Sequence, residues 1–517
     1  MLSLIDRLLN KITMYRLVLY YLIALIGIAA VFGYFGILPY SPLALGFSTA
    51  VLLAVSLITN ELFARTFRAQ PNVESVYITA LILALIITPV LPGNAVGLSF
   101  LIWAAVLAMA SKYILAIRKK HFFNPAAFAV ALTAFAISQA ATWWVGGNLP
   151  LMAFVLIGGF LIVRKIQRFD LVLPFLGVAI ASILFTSPPQ YGLFNTLSQA
   201  LLHTPLFFFA AIMLTEPLTT PPTRTRRIVY GAFVGLLFAP NIHFGSIYST
   251  PELALLVGNI LSYILSPKSK HALVLKEKKE VGKYLFDFVF ATDGRVRFRP
   301  GQYMEWTLAH QGSDSRGNRR YFTIASSPTE NDLRLGVKFP KPPSSFKRGM
   351  LELKPGDQII GGQLAGDFTL PRDPRKKLVF VAGGIGITPF RSMIKYLVDK
   401  NENRDIILLY SDRSTEEIVY RDVFDEAAQA IGMKTIYAIT GAREDTANQV
   451  PPLAEGKLGG VIFKRIDADL IRREIPDYLE RTFYISGTQA MVSGMTTLLH
   501  DFGIPRRQIK TDFFPGF

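Results

Sequence analysis

The stretch RRYFTIASSP, residues 319–328, sets a guanidinium, an aromatic ring and a hydroxyl close together, on Arg320, Phe322 and Thr323. An arginine can offer a phosphate a charge-assisted fork, and a threonine hydroxyl can hydrogen-bond a ring nitrogen. Further on, VFVAGGIGITPFRSM runs from β-branched residues into a helix start. There Gly383, Gly384 and Gly386 let backbone amides approach a phosphate closely, and a helix N-terminus adds its positive end. Thr388 and Pro389 open the helix, where proline suits the first turn. Taken singly, each segment also has a plain structural reading, as an amphipathic strand and as a tight strand-to-helix turn.

The elements around these segments change character along the chain. Residues 272–371 read as short strands with turn punctuation, which predicts a small antiparallel barrel. Residues 376–517 alternate strands with helices, which predicts a parallel sheet. Residues 1–266 are dominated by apolar runs, so the expected domains are 1–266, 267–373 and 374–517. The whole is expected to be a polytopic α-helical membrane domain fused to a β-barrel domain and an α/β nucleotide-binding domain.

Ten apolar spans are expected, near 16–34, 42–60, 75–88, 97–117, 125–142, 149–163, 171–186, 197–214, 228–240 and 252–265. Lysines and arginines of this half fall at the N-terminus or in alternate loops, as with Arg65, Lys112, Arg164, Lys165 and Arg227. By the positive-inside rule both ends of the domain, and all that follows, face the cytoplasm, as in a multi-pass inner-membrane protein. The formal charge of +17 is therefore read as topological, with no nucleic-acid partner. Trp143, Trp144 and Tyr191 are expected in an aromatic belt. Glu61, Asp170 and Glu216 lie near expected cytoplasmic ends, and none reads as a mid-membrane charge. The chain has no cysteine, which excludes disulfides and thiolate metal sites, and no metal site is expected.

The order barrel then parallel sheet, with RPGQYMEW, RYFT, GGIGITPF and a final FFPGF, resembles the ferredoxin–NADP reductase superfamily across 270–517. The resemblance implies FAD and NADH or NADPH as cofactors, with hydride passing between them. It gives Arg320 to the FAD pyrophosphate, Phe322 to the ring or ribityl chain, and Thr323 to flavin N5. Ser344 and Ser345, in PPSSFKRGM, would donate to the diphosphate. Ser486 and Gly487, in YISGTQAM, fall where the family has Cys-Gly-Pro at the nicotinamide, so a serine replaces the cysteine and Thr488 the proline. Phe517 would belong to the aromatic tail that closes over the flavin. Ser411 and Arg413 could take a 2′-phosphate, while Asp412 and the glutamates after it would repel one, which leans toward NADH.

The front half, through KKHFFNPAAFAVAL and AAIMLTEPLTTPPTRTRRIVYGAFVGLL, resembles the D subunit of Rnf-type complexes and the B subunit of sodium-pumping NADH:quinone reductase. Those proteins carry membrane flavins, one of them FMN esterified to a threonine. Thr142 is the nearest match to that threonine, with Thr204 behind it, and neither lies in an intact motif. Thr215, Thr219, Thr220 and Thr223 form a second candidate, a phosphate or flavin cradle. The expected enzyme is a membrane-bound NAD(P)H-dependent flavin oxidoreductase whose acceptor is a flavin, a quinone or another electron-transfer protein, with further subunits. Two alternatives stand beside it. One is a transporter or channel that senses nicotinamide through its flavin domain. The other is a haem-wired reductase, for which His121, His203 and His243 are poorly arranged as facing axial ligands.

Overall fold

The computed structural model describes residues 2–9, 12–67, 73–117, 120–266, 270–294, 296–310, 314, 318–339, 342–441 and 459–514. It divides into two compact units, 1–270 and 271–517.

The first unit is helical. Its helices are α1 (Leu2–Leu9), α2 (Met14–Tyr34), α3 (Pro42–Thr66), α4 (Val73–Ile86), α5 (Ala95–Ile114), α6 (Pro125–Ile137), α7 (Leu149–Ile166), α8 (Phe169–Thr186), α9 (Leu193–Leu202), α10 (Leu206–Phe208), α11 (Arg224–Leu237) and α12 (Pro251–Leu265). Two short ladders, β1 (Ala116–Ile117) with β2 (Lys120–His121) and β3 (His243–Phe244) with β4 (Ile247–Tyr248), complete it. A π turn over Phe209–Met213 continues α10, which is bent by 53° from α9. Among the described residues, five helices are long and apolar enough to cross a membrane, or six with the bent pair counted as one, which fits a membrane domain.

Small residues let α8 and α11 close on each other. A Cβ on Gly231 would lie 2.4 Å from the Leu171 carbonyl oxygen, and one on Gly235 2.6 Å from that of Phe175. The Ser182 hydroxyl donates to the Leu236 carbonyl at 2.9 Å, and Arg227 pairs with Asp170 at 2.6 Å at one end of the two helices. Backbones this close gain contact where the hydrophobic effect contributes little between helices in lipid.

α4 is buried on nearly all sides, so its last carbonyls have no water to bond. The segment 142–145 supplies the donors instead. The N–H groups of Thr142 and Trp143 reach the Ile86 carbonyl at 2.9 Å, Val145 N–H reaches Leu85, and the Trp144 indole donates to the Ala84 carbonyl at 3.0 Å. Trp143 and Trp144 are therefore buried cap residues, not members of an exposed aromatic belt. The Trp143 indole donates to Glu252 at 3.0 Å. Glu252 is buried in the first turn of α12, an acid that a search for charges near cytoplasmic ends overlooks.

The second unit holds two six-stranded sheets. The first comprises β5 (Lys270–Gly282), β6 (Leu285–Thr292), β7 (Tyr303–Thr307), β8 (Arg319–Thr323), β9 (Leu333–Lys338) and β10 (Gln358–Ala365), in the order β8-β7-β10-β5-β6-β9. Helix α13 (Ser345–Glu352) packs Phe346 and Met350 into its core beside Trp306, Phe288 and Phe290.

The second sheet comprises β11 (Leu378–Gly383), β12 (Ile406–Asp412), β13 (Lys434–Ile439), β14 (Gly459–Ile462), β15 (Thr482–Thr488) and β16 (Ile509–Phe514). Helices α14 (Thr388–Asp399), α15 (Arg421–Ile431), α16 (Ala468–Glu474) and α17 (Gln489–Asp501) flank it. All its pairings are parallel, in the order β14-β13-β12-β11-β15-β16. The continuous apolar runs follow from burial on both faces. On β11, Leu378, Phe380 and Ala382 enter one core while Val379 and Val381 enter the other.

Candidate functional site

The chain leaves β11 toward β12, β13 and β14 on one side and returns to β15 and β16 on the other, so the strand order reverses between β11 and β15. Ligands of open α/β sheets bind outside the carboxyl ends of the strands at such a reversal. The expected nucleotide residues converge there. Gly383 is the register partner of Ser411 on β12, and Ala382 that of Ser486 on β15. Gly384 has φ +54°, the left-handed region that glycine adopts without strain. A Cβ on Gly386 would lie 2.3 Å from the Ser486 carbonyl oxygen and 2.7 Å from Gly487 Cα, so the loop and the β15 end fit only without a side chain.

The side chains at this edge divide into engaged and open groups. The Thr388 hydroxyl donates to the Ile385 carbonyl at 3.1 Å and closes the turn. Arg413 is exposed. The Ser486 hydroxyl is fully buried and has no hydrogen-bond partner among the described residues. The same holds for Asp412 Oδ2, which lies 3.8 Å from the Cβ position on Gly384. A buried polar atom left without a partner costs about 1–3 kcal/mol. Such atoms at a phosphate-type loop fit a polar ligand that completes them.

The flavin-type residues are assembled by the first sheet. Arg320, Phe322 and Thr323 lie on β8, whose partner β7 begins after the turn RPGQ. Gly301 in that turn has φ +91°, and a Cβ there would meet the Phe368 carbonyl oxygen at 2.2 Å. Gln302 accepts Ile324 N–H on its carbonyl at 3.0 Å and donates its side chain to Gly366 at 3.1 Å, so the turn anchors the end of β8. Thr323 is buried, and its hydroxyl has no hydrogen-bond partner among the described residues. This is the donor set that a flavin edge would complete.

Arg320 lies 5.1 Å above the Phe346 ring, and Phe322 packs on the same ring at 6.0 Å, which brings β8 to the start of α13. The two serines expected to donate to a diphosphate are engaged within the chain. The Ser344 hydroxyl caps α13 by accepting Lys347 N–H at 3.3 Å. The Ser345 hydroxyl accepts Asp314 N–H at 2.9 Å and contacts His310 Nε2 at 3.1 Å. The Asp314 carboxylate takes the anion position at this helix start, accepting Ser345 N–H at 3.1 Å and lying 3.7 Å from Arg320. A site that holds a carboxylate this way has the donors for a phosphate. Phe517 lies outside the described residues.

In the first unit, Thr142 is exposed, and its hydroxyl accepts from Thr88 at 3.0 Å and lies 3.4 Å from the Ile86 carbonyl. The Thr204 hydroxyl donates to Ala200 at 2.6 Å. Thr215 donates to Ala211 at 2.6 Å and Thr219 to Glu216 at 3.1 Å, while Arg227 is held by Asp170 and the Pro222 carbonyl. These threonines close helix ends.

Residues 380–497 match the oxidoreductase NAD-binding domain, and residues 145–271 match the NQR2, RnfD, RnfE family. The chain is similar to two families at once. Relatives include a flavohemoprotein of Bacillus subtilis, 26% identical over 252 residues, 48% of this chain and 60% of that protein. A glycine betaine monooxygenase reductase subunit of Pseudomonas aeruginosa is 26% identical over 231 residues, 44% of this chain and 59% of that protein. The chain thus spans about three fifths of these relatives' length. Among solved structures, a cytochrome P450 reductase of Amycolatopsis is 18% identical with TM-score 0.41, covering 48% of this chain and 71% of that one.

Proposed function

We propose that this chain is a membrane-bound flavoprotein oxidoreductase that takes hydride from NAD(P)H onto FAD and passes the electrons to a flavin or quinone acceptor in or across the membrane. FAD supplies the hydride-accepting ring, and the protein binds, orients and screens it. Thr323 holds a hydroxyl against the flavin edge, and Arg320 with the start of α13 takes the diphosphate once Asp314 yields the position. Gly383, Gly384, Gly386, Ser486 and Gly487 form the nucleotide cradle. Asp412 faces the ribose from the end of β12 and favours NADH, since a buried acid accepts ribose hydroxyls and repels a 2′-phosphate. The observation that carries this reading is the buried, unbonded Thr323 hydroxyl on β8, in the same unit as a sheet within the stretch 380–497 that matches the oxidoreductase NAD-binding domain.

The finer reading is a ten-span membrane domain, 1–266, in the inner membrane with both ends cytoplasmic, then a closed flavin barrel, 267–373, and the nucleotide domain, 374–517. Similarity to the NQR2, RnfD, RnfE family supports a partner in electron transfer and further subunits. Thr142 is the candidate for covalent FMN.

Anaerobic titration of the detergent-purified chain with NADH, followed by flavin bleaching near ~450 nm, tests the reading. Uptake of more than two electrons per chain is expected, from a redox centre in the front half besides FAD. Uptake of two confines the chemistry to FAD and makes a diffusing partner the acceptor. No bleaching with NADH or NADPH overturns the enzyme.

A further inference from the structure

Two fasteners join the nucleotide sheet to the flavin sheet within the second unit. The first leaves α14, the helix behind the glycine loop. Arg391, buried at 5% exposure, donates to the Ala325 carbonyl at 2.8 Å and forks onto Glu330 at 2.7 and 3.0 Å. Ser392 donates to the Ser326 carbonyl at 2.6 Å. Ala325 and Ser326 directly continue the strand that carries Thr323. The nucleotide helix is thus tied to the segment beside the flavin hydroxyl.

The second fastener is Tyr420, which precedes α15. Its φ is +61°, a left-handed conformation unusual for a bulky residue. Its ring lies under the Arg391 guanidinium at 5.3 Å, and its hydroxyl donates to Asp287 Oδ1 on β6 at 3.2 Å. The other Asp287 oxygen accepts from Arg334 at 2.7 Å. To reach Asp287 the tyrosine crosses β9 at Gly336, the register partner of Asp287. A Cβ on Gly336 would lie 2.6 Å from the Tyr420 hydroxyl, 2.9 Å from Thr388 Cγ2 and 3.5 Å from Ile385 Cδ1. One missing side chain on the flavin sheet therefore admits both the tyrosine and the glycine-loop residues that open α14.

We propose that Tyr420, passing over Gly336 to Asp287, is a positioning residue for hydride transfer, fixing the spacing between the nucleotide loop and the flavin strand at Thr323. This rests on the reading that NAD(P)H reduces FAD in this unit. Apolar packing is non-directional and does not by itself single out one distance between the two sheets. A hydrogen bond reached through a side-chain-free slot, from a residue held in a strained conformation, fixes a distance. Hydride transfer needs reacting atoms about 3–3.5 Å apart, and a misplacement of about 1 Å can cost about 100-fold in rate.

The test is stopped-flow reduction of FAD by NADH in the full-length, detergent-purified chain, wild type against Tyr420→Phe and Gly336→Ala. Tyr420→Phe keeps the ring under Arg391 and removes only the hydroxyl; Gly336→Ala wedges the slot. The limiting reduction rate is expected to fall by more than about threefold in Tyr420→Phe and about tenfold in Gly336→Ala, with FAD content and NADH Kd within about threefold of wild type. A limiting rate in Tyr420→Phe within threefold of wild type overturns the proposal, whether or not Gly336→Ala folds. So does a slowing matched by lost FAD or weaker NADH binding. A wild-type chain that NADH does not reduce at all removes the underlying reading instead, and the proposal with it.

Discussion

The Lys338 ammonium stands 3.6 Å from the Asp412 carboxylate and forms a closer ion pair with Glu417, so one cation of β9 holds the acid that ends β12 and another in the turn after it. Burial, with the neighbouring Glu417, pushes the Asp412 carboxyl up to about 7, against the pull of Lys338. A carboxyl whose folded value is raised contributes stability that is complete below its unfolded value, about 4, and is lost as pH rises through about 7. Asp412→Asn should therefore raise the melting temperature at pH 8 and change it little at pH 4. The gain expected is about 2–4 °C per kcal/mol recovered, read by thermal unfolding at the two pH values.

Asp412 also predicts nucleotide choice. With its Oδ2 buried 3.8 Å from the Cβ position on Gly384, an ionised carboxylate disfavours a 2′-phosphate there. Wild type should prefer NADH at pH 8, and the preference should narrow toward pH 6 as the acid takes a proton. Asp412→Ser, with Ser411 and Arg413 beside it, should raise the NADPH-to-NADH ratio of kcat/KM by about tenfold, since one buried charge clash is worth about 1–2 kcal/mol. Steady-state rates with both nucleotides from pH 6 to 8 decide the point.

Thr323→Val keeps the shape of the side chain and removes the hydroxyl. FAD should remain bound while its reduction by NADH slows about 5–30-fold, the effect of losing one hydrogen bond of about 1–2 kcal/mol to the reacting ring. Flavin content with stopped-flow absorbance measures both. Wild-type reduction in this variant would remove Thr323 from the site.

Gly231 and Gly235 set the approach of α8 to α11, with backbone oxygens 2.4 and 2.6 Å from their Cβ positions. Gly235→Leu should force the helices apart, costing about 1–3 kcal/mol or more in packing. The folded fraction of the full chain in mild detergent, by size-exclusion profile and thermal aggregation, should fall sharply. The exposed Gly27→Ala, with nothing within 4 Å of its Cβ, should not change it.

Local patterns make part of this molecule legible. The glycine loop after β11 and the row Arg320, Phe322 and Thr323 are each read within about ten residues, and the structure sets the loop at the carboxyl end of β11 and the row on β8. Arg391 with Glu330, Tyr420 with Asp287, and Lys338 with Asp412 join positions far apart in sequence, and no periodicity encodes such pairs. One signal pointed to the slot: Gly336 is a glycine inside the strand DLRLGVKF, and such a glycine often marks a close backbone approach. Trp143 and Trp144 show the opposite failure. Their residue type suits a membrane interface, yet the carbonyls of α4 needed donors, and burial decided their place. The serines of PPSSFKRGM lie at the start of α13, but Asp314, which holds one of them, cannot be seen from a segment thirty residues away.

The capping of α4 also bears on how the first unit is made. A helix of 14 residues extends about 21 Å at about 1.5 Å per residue, short of a bilayer core of about 30 Å. Its carbonyl end is completed by donors that the ribosome adds 56 residues later, from Thr142 onward. At about 5–20 residues per second, α4 waits roughly 3–11 s with that end unfinished. The end of α4 is thus completed only once the segment around Thr142 has been made.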